Sequence, residues 1–282
     1  QQTFAKAIAK HNAGNFRGAI KLYQRVLKIS PEHLDALHFM GLALAENGEI
    51  QKGIGHILKA IEHQSAFPEA HFNLGNLLRS IGENKAATRH LLLALRYSPD
   101  LIDAHFNLTP ILCDLGQLEE ALHHGQIALD ADPADPLAHF NLGVAFGLMG
   151  RHEEALAAYG TAISIHAEFP EAHDNCGCAL AELNRNDEAL TEFKEAITLK
   201  PEFAQAHYNA GNVLQKMGRL AESETYYRKA LEIHPGYLDA MANLGDTLMK
   251  MGQHKRGLAH SRQGNGVIVF HGIRDTQPNI EY

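Results

Sequence analysis

Residues 204–235, AQAHYNAGNVLQKMGRLAESETYYRKALEIHP, decide the fold. Ala206, His207, Ala210, Gly211 and Leu214 fall at helical spacing, and Gly218 then interrupts the pattern. Leu220, Tyr227, Ala230, Leu231 and Ile233 form a second helical series, which Pro235 ends. The stretch predicts two helices joined by a tight break, and the arrangement returns along the chain. Glycines in register with Gly211 stand at Gly41, Gly75, Gly143, Gly177 and Gly245, on a beat of 34 residues, with Thr109 on the one exception. The break recurs at Gly14, Gly48, Gly82, Gly116, Gly150 and Gly252, with Asn184 taking it once, and the stop recurs at Pro31, Pro99, Pro133 and Pro201. A fixed period of this length marks stacked units, each burying its apolar face against its neighbours.

The beat glycine lies inside a helix, where glycine is worse than alanine by about 1 kcal/mol. That cost is tolerated where two helix backbones approach closely. Small residues on the second helix supply the opposing contact, at Ala19, Ala87, Ala121, Ala155 and Ala189 and again at Ala60, Ala94, Ala128, Ala162, Ala196 and Ala230. Tyr23, Tyr159, Phe193 and Tyr227 fill the space between. Two places depart from the pattern. Thr109-Pro110 sits deep in the first helix of its unit, and Gly125 stands where other units have an aromatic residue or leucine. A proline there removes a backbone hydrogen bond, so a local kink, a shifted groove wall and an underfilled core are expected. Drift in one unit and a functional hinge are both open readings. After Leu258 the pattern fades, Gly264-Asn265-Gly266 breaks it, and Val267–Phe270 reads as a short strand.

The run Ala206-His207-Tyr208-Asn209-Ala210-Gly211, followed by Gly218, Tyr227, Ala230 and Pro235, resembles the tetratricopeptide repeat. The resemblance implies an all-α fold, a right-handed α-solenoid of antiparallel helix pairs in which the first helix of each unit lines a concave groove. About seven full repeats and a partial one are expected over residues 1–263, with units beginning near Leu34, Pro68, Ile102, Pro136, Pro170, Ala204 and Leu238. Residues 264–282 form a non-repeat tail, read as the start of a following domain, a segment folded over the last repeat, or a strand for another chain.

Composition narrows the partners. The chain has 282 residues and a formal net charge of −8, with no lysine or arginine run, which argues against nucleic acid and anionic membrane surfaces. No apolar stretch has the length of a membrane span, and no signal segment is visible, so the expected location is cytoplasmic. Cys113, Cys176 and Cys178 have no zinc or redox spacing and read as small packing residues.

Chemistry is sparse. His71, His105, His139, His173 and His207 form a ladder one repeat apart, too widely spaced to share a metal ion, and read as packed, hydrogen-bonded side chains. His33-Leu34-Asp35 has the spacing of an iron-binding pair but no third ligand, and Asn107-Leu108-Thr109 matches a glycosylation acceptor in mid-helix. No phosphate loop, nucleophile elbow or zinc signature appears. Neither catalytic residues nor a metal or cofactor are expected.

A second series follows the beat. Asn73, Asn107, Asn141, Asn175, Asn209 and Asn243 each precede it by two residues, and asparagine is a mediocre helix former. The resemblance puts this position on the concave face, with two uses open. The amide can bond the neighbouring helix, or its acceptor and two donors can match the N–H and C=O of an extended peptide. The arrays of O-linked N-acetylglucosamine transferases use such a ladder, and this array resembles theirs. Phe72, Phe106, Phe140 and Tyr208, one residue earlier, are the expected apolar anchors. Asp35, Glu69, Asp103, Glu171 and Asp239 in the first helical turns suit the helix dipole and bias the groove toward basic ligands. The expected function is a scaffold or adaptor binding protein or peptide segments in the groove. The alternatives are a substrate-recruiting module of a larger enzyme such as a glycosyltransferase, and self-assembly through the tail or an open array end.

Overall fold

The helix pairs expected from the periodicity appear in the computed structural model, which describes residues 1–264. The described residues divide into two compact units. The first, Gln1–Arg151, holds α1 (Gln2–Asn12), α2 (Phe16–Ile29), α3 (Leu34–Glu46), α4 (Ile50–His63), α5 (Pro68–Ser80), α6 (Asn84–Tyr97), α7 (Ile102–Asp114), α8 (Leu118–Ala131) and α9 (Pro136–Leu148). The second, from His152, holds α10 (His152–Ile165), α11 (Pro170–Glu182), α12 (Asn186–Leu199), α13 (Ala204–Lys216), α14 (Leu220–Ile233), α15 (Leu238–Lys250) and α16 (His254–Gly264). The odd-numbered helices from α3 to α15 begin at the seven residues named from sequence. Val267–Phe270 lies outside the described residues.

The turns obey backbone sterics. All seven break glycines have positive φ, from +69° at Gly14 to +88° at Gly48, and Asn184 takes their place at φ 60°. Only glycine, and less readily asparagine, adopts this geometry without strain.

Packing within a pair turns on the beat glycine and the residue sixteen positions later. A Cβ built on Gly75 would lie 2.7 Å from Leu91 Cγ, one on Gly177 2.6 Å from Phe193 Cε1, and one on Gly211 2.6 Å from Tyr227 Cε1. Leu91, Phe193 and Tyr227 are fully or almost fully buried. The carbonyl of the small residue twelve positions after the beat also closes on the glycine: a Cβ built on Gly75 would lie 3.3 Å from Ala87 O. Ser223 holds the same place and donates its hydroxyl to the Gly211 carbonyl at 2.9 Å.

The Thr109 unit follows this rule with the sizes exchanged. Gly125 lies sixteen residues after Thr109, and a Cβ on Gly125 would meet the Thr109 methyl at 3.1 Å and Leu142 Cδ2 at 2.7 Å. The expected underfilled core is therefore filled, by Thr109 from the first helix and Leu142 from the next repeat. Thr109 is buried, and its hydroxyl donates to the His105 carbonyl at 3.1 Å. Helix α7 runs through Pro110 over thirteen residues, the length of α3, α5, α9, α11, α13 and α15.

Gly211→Ala gains helix propensity of about 1 kcal/mol but overpacks Tyr227, at a penalty of about 1–3 kcal/mol. The expected outcome is a lower unfolding midpoint in urea, relieved when Tyr227→Leu is added; the midpoint with intact m-value is the check.

Candidate functional site: the asparagine face

The first helices α5, α7, α9, α11, α13 and α15 each carry one ladder asparagine, and the position three residues after it faces the asparagine of the next repeat where the two bond. Asn73 Nδ2 lies 2.9 Å from His38 Nε2, and Asn107 Nδ2 donates to Asn76 Oδ1 at 2.9 Å. In the second unit Asn209 Nδ2 donates to both carboxylate oxygens of Asp174, at 3.0 and 3.2 Å, and lies 3.3 Å from Cys178 Sγ. Asn243 Nδ2 donates to Tyr208 Oη at 3.2 Å and to Asn212 Oδ1 at 2.9 Å. One rule covers these bonds: the acceptor stands 31 or 35 residues earlier, on the preceding first helix. Burial pushes His38 down to about 4, so its ring is neutral and Nε2 can accept from Asn73.

Asn141 and Asn175 differ. Neither carboxamide makes a hydrogen bond among the described residues, and both are half-buried. For Asn141 the two acceptor positions are Phe106 and Pro110, which offer no side-chain acceptor. For Asn175 the same positions in the sequence are Phe140 and Val144. Four ladder amides are thus stapled to a neighbour and two are not.

The aromatic residues also divide. Phe72, Phe106 and Phe140 in the first unit are half-buried, and Phe72 packs against the core formed by Leu91, Leu108 and Leu112. Tyr208 is enclosed by Tyr237 and Tyr227, with ring centroids at 4.9 and 6.0 Å, and its hydroxyl accepts from Asn243. It serves as a strut of the second unit. Between Phe140 and Tyr208 in the register stands Asp174, 4% exposed and missed as a site residue from sequence. Burial raises its carboxyl from 3.8 to about 6, with Glu171 adding to the rise and the Asn209 amide opposing it. Beside it, a cleft of about 210 Å³ is lined by Cys178, Glu182, Asn209, Asn212 and Lys216. The Asn73-Leu-Gly-Asn76 and Asn209-Ala-Gly-Asn212 spacings were the sequence signal for the amide pairs.

The histidine ladder has one structural role throughout. In His71, His105, His139, His173 and His207 the Nε2 atom bonds the carbonyl six residues earlier, in the turn between repeats, at 3.0 to 3.4 Å. His173 Nδ1 donates to the Glu192 carboxylate at 2.7 Å, whereas in His71 and His105 donation from Nε2 leaves Nδ1 to face a second imidazole. His71 Nδ1 pairs with His90 Nδ1 at 3.0 Å, and His105 Nδ1 with His124 Nδ1 at 2.8 Å. Burial first, and the facing histidine second, push His90 and His124 down to about 4. His33 caps α3, its Nδ1 accepting from Ala36 N–H. Among the described residues no group of three or more His, Cys, Asp or Glu is placed to hold a metal ion. Burial drives the thiols of Cys113, Cys176 and Cys178 up, to about 11, 12 and 12, so they pack rather than react.

Comparison with known proteins agrees with this architecture. Profiles of the tetratricopeptide repeat match residues 4–66, 68–101, 137–168, 204–237 and 226–259, and profiles described as TPR repeat match 111–150 and 177–218. The chain belongs to the tetratricopeptide repeat family. A tetratricopeptide repeat protein from Parabacteroides merdae shares 14% identity over 88% of this chain and 98% of its own, with a TM-score of 0.67. The Cut9–Hcn1 hetero-tetramer structure of the APC/C contains a chain with 18% identity over 86% of this chain and 48% of that one, also at 0.67. YrrB, described as a TPR protein with an unusual peptide-binding site, shares 25% identity over 66% of this chain and 95% of its own, at 0.51. Comparison with curated proteins finds no match. No described helix is long and apolar enough to cross a membrane.

Two pH effects follow. His90 and His124 have folded pKa values below the unfolded 6.5, so the unfolded chain binds more protons between about 4 and 6.5. Their contribution to stability is present above 6.5 and lost as pH falls through that window. The unfolding midpoint of His90→Asn/His124→Asn, followed by circular dichroism, should therefore depend less on pH from 7 to 4.5 than the wild type's. Asp174 has the opposite sign: its folded pKa is raised, so ionisation destabilises the fold as pH rises from about 4 to about 6. Asp174→Asn keeps an acceptor for Asn209 and removes the buried charge. It should raise stability at pH 7.5 by on the order of 1–3 kcal/mol and leave it unchanged near pH 4.

Proposed function

We propose that the chain is a scaffold that binds protein segments on its asparagine faces, and that Asn141 and Asn175 provide its backbone-directed contacts. The observation that carries this reading is the split within the ladder. A hydrogen-bonded amide such as Asn209 has its donors committed and its oxygen bonded by Gln205 at 3.1 Å. An unengaged amide instead offers two donors and an acceptor to a ligand's peptide group.

The amides alone are too weak. Each net hydrogen bond adds about 0.5–1.5 kcal/mol, whereas a micromolar complex needs about 8 kcal/mol. Apolar contacts supply the rest, and in the first unit Phe106 and Phe140 stand in the register beside Asn141. The description of YrrB as peptide-binding, and of Cut9–Hcn1 as a hetero-tetramer, is in keeping with this class of function. Binding of this kind requires no chemistry from the chain, and no catalytic role is proposed.

The two classes of asparagine make opposite predictions. Asn141→Ala with Asn175→Ala should weaken a peptide selected on an array by about tenfold, with unchanged melting. Asn209→Ala should lower the melting temperature instead, because Asp174 loses its donor. Equal binding by the Asn141/Asn175 double variant in a fluorescence titration would contradict the assignment.

A further inference from the structure

The first helix pair carries charge that folding does not require. The chain has 25 lysines and arginines against 33 acidic residues, yet residues 1–31 contain six of the former and none of the latter. Arg17, Lys21 and Arg25 stand four residues apart on α2, which places them about 6 Å apart along one side of the helix. All three are exposed, and with Lys10 of α1 they border a cleft of about 410 Å³. None of the four makes an ion pair or a side-chain hydrogen bond among the described residues. Glu49, whose charge Arg17 feels, is held by Lys52 at 2.6 Å. Like charges four residues apart weaken a helix, and Arg17 in the first turn opposes the helix dipole. Helices α8, α10, α12 and α14 place acids in that turn.

The second unit presents the reverse. Between α10 and α12 lies a cleft of about 570 Å³ bordered by Glu153, Glu188 and Glu192. Its one lining cation, Arg185, is held by Glu188 through two bonds of 2.8 and 2.7 Å. Glu188, Glu192 and Glu195 follow one another along α12 at four and three residues, close to the spacing of the basic row on α2. Glu153 occupies the same register position as Arg17, four periods on.

We propose that the chain associates with a second copy of itself, the Arg17–Lys21–Arg25 ridge of one copy seating in the Glu153/Glu188/Glu192 cleft of the other. Run antiparallel, the two helices set Arg17 against Glu195, Lys21 against Glu192 and Arg25 against Glu188. The two surfaces differ, so the contact is heterologous and propagates head to tail. A second copy carries the same net charge of −8, but it brings an acidic cleft to the basic ridge, and this local complementarity steers the contact. This contact does not depend on the asparagine faces.

Sedimentation of the full chain at varied salt tests the proposal. The wild type should rise above its monomer mass of 31.0 kDa with concentration at about 20 mM salt and return to it at about 500 mM, where charges are screened. Arg17→Glu/Lys21→Glu and Glu153→Lys/Glu188→Lys should each remain monomeric with unchanged helical signal. An equimolar mixture of the two should associate again, because every ridge then meets a cleft of opposite charge. If a reversal unfolds the chain, Lys21→Gln/Arg25→Gln replaces it and should weaken association at least fivefold. A wild type that stays monomeric at low salt, association that survives high salt, or a mixture that fails to recover would overturn the proposal. So would a monomeric chain that binds polyglutamate through the ridge, which would assign that surface to a different acidic partner.

Discussion

At Gly41, Gly75, Gly177 and Gly211 the helix pair turns on one close approach, between a glycine in the first helix and a bulky side chain sixteen residues later. At Gly211 the ring of Tyr227 occupies the volume a Cβ would need. That contact sets how near the two backbones come, and the small residue at the Ala87 and Ser223 positions completes it. With the distance fixed, the turn glycines and following prolines only have to reverse the chain. The exchange of sizes at Thr109 and Gly125 shows that the constraint is on the pair: one side must be small, and either side can be.

The same period that repeats the fold also repeats side-chain bonds between repeats. An asparagine on one first helix lies within reach of positions 31 and 35 residues earlier on the preceding one. Where those positions hold His38, Asn76, Asp174, Cys178, Tyr208 or Asn212, the amide becomes part of the wall. Phe106 and Pro110 leave Asn141 unengaged. Proline's apolar ring at position 110 offers Asn141 no side-chain acceptor.

The helix boundaries were legible in the sequence because each is marked by a residue whose backbone chemistry allows little else: Gly218, Asn184, Pro235. The beat glycine was legible for the same reason. Reading Thr109 and Gly125 as separate defects missed their compensation, since the sequence does not display which residues touch across sixteen positions. The histidine ladder was recognised as packed, but its tie to the carbonyl six residues earlier depends on the path of the turn. Asp174 was overlooked because a single carboxylate in an aromatic register reads as an interruption, and only burial beneath Asn209 gives it weight. The basic first pair was hidden by searching for runs, when the signal was the absence of acids over residues 1–31.

The six ladder amides belong to two classes, and side-chain amide hydrogen exchange measured by nuclear magnetic resonance reads them one by one. The Nδ2 hydrogens of Asn73, Asn107, Asn209 and Asn243 should exchange slowly. Asn141 and Asn175 should exchange fast and become protected when a bound peptide is added. Uniform protection of all six in the free protein, or a peptide that protects none of Asn141 and Asn175 while perturbing Asn209, would contradict this division.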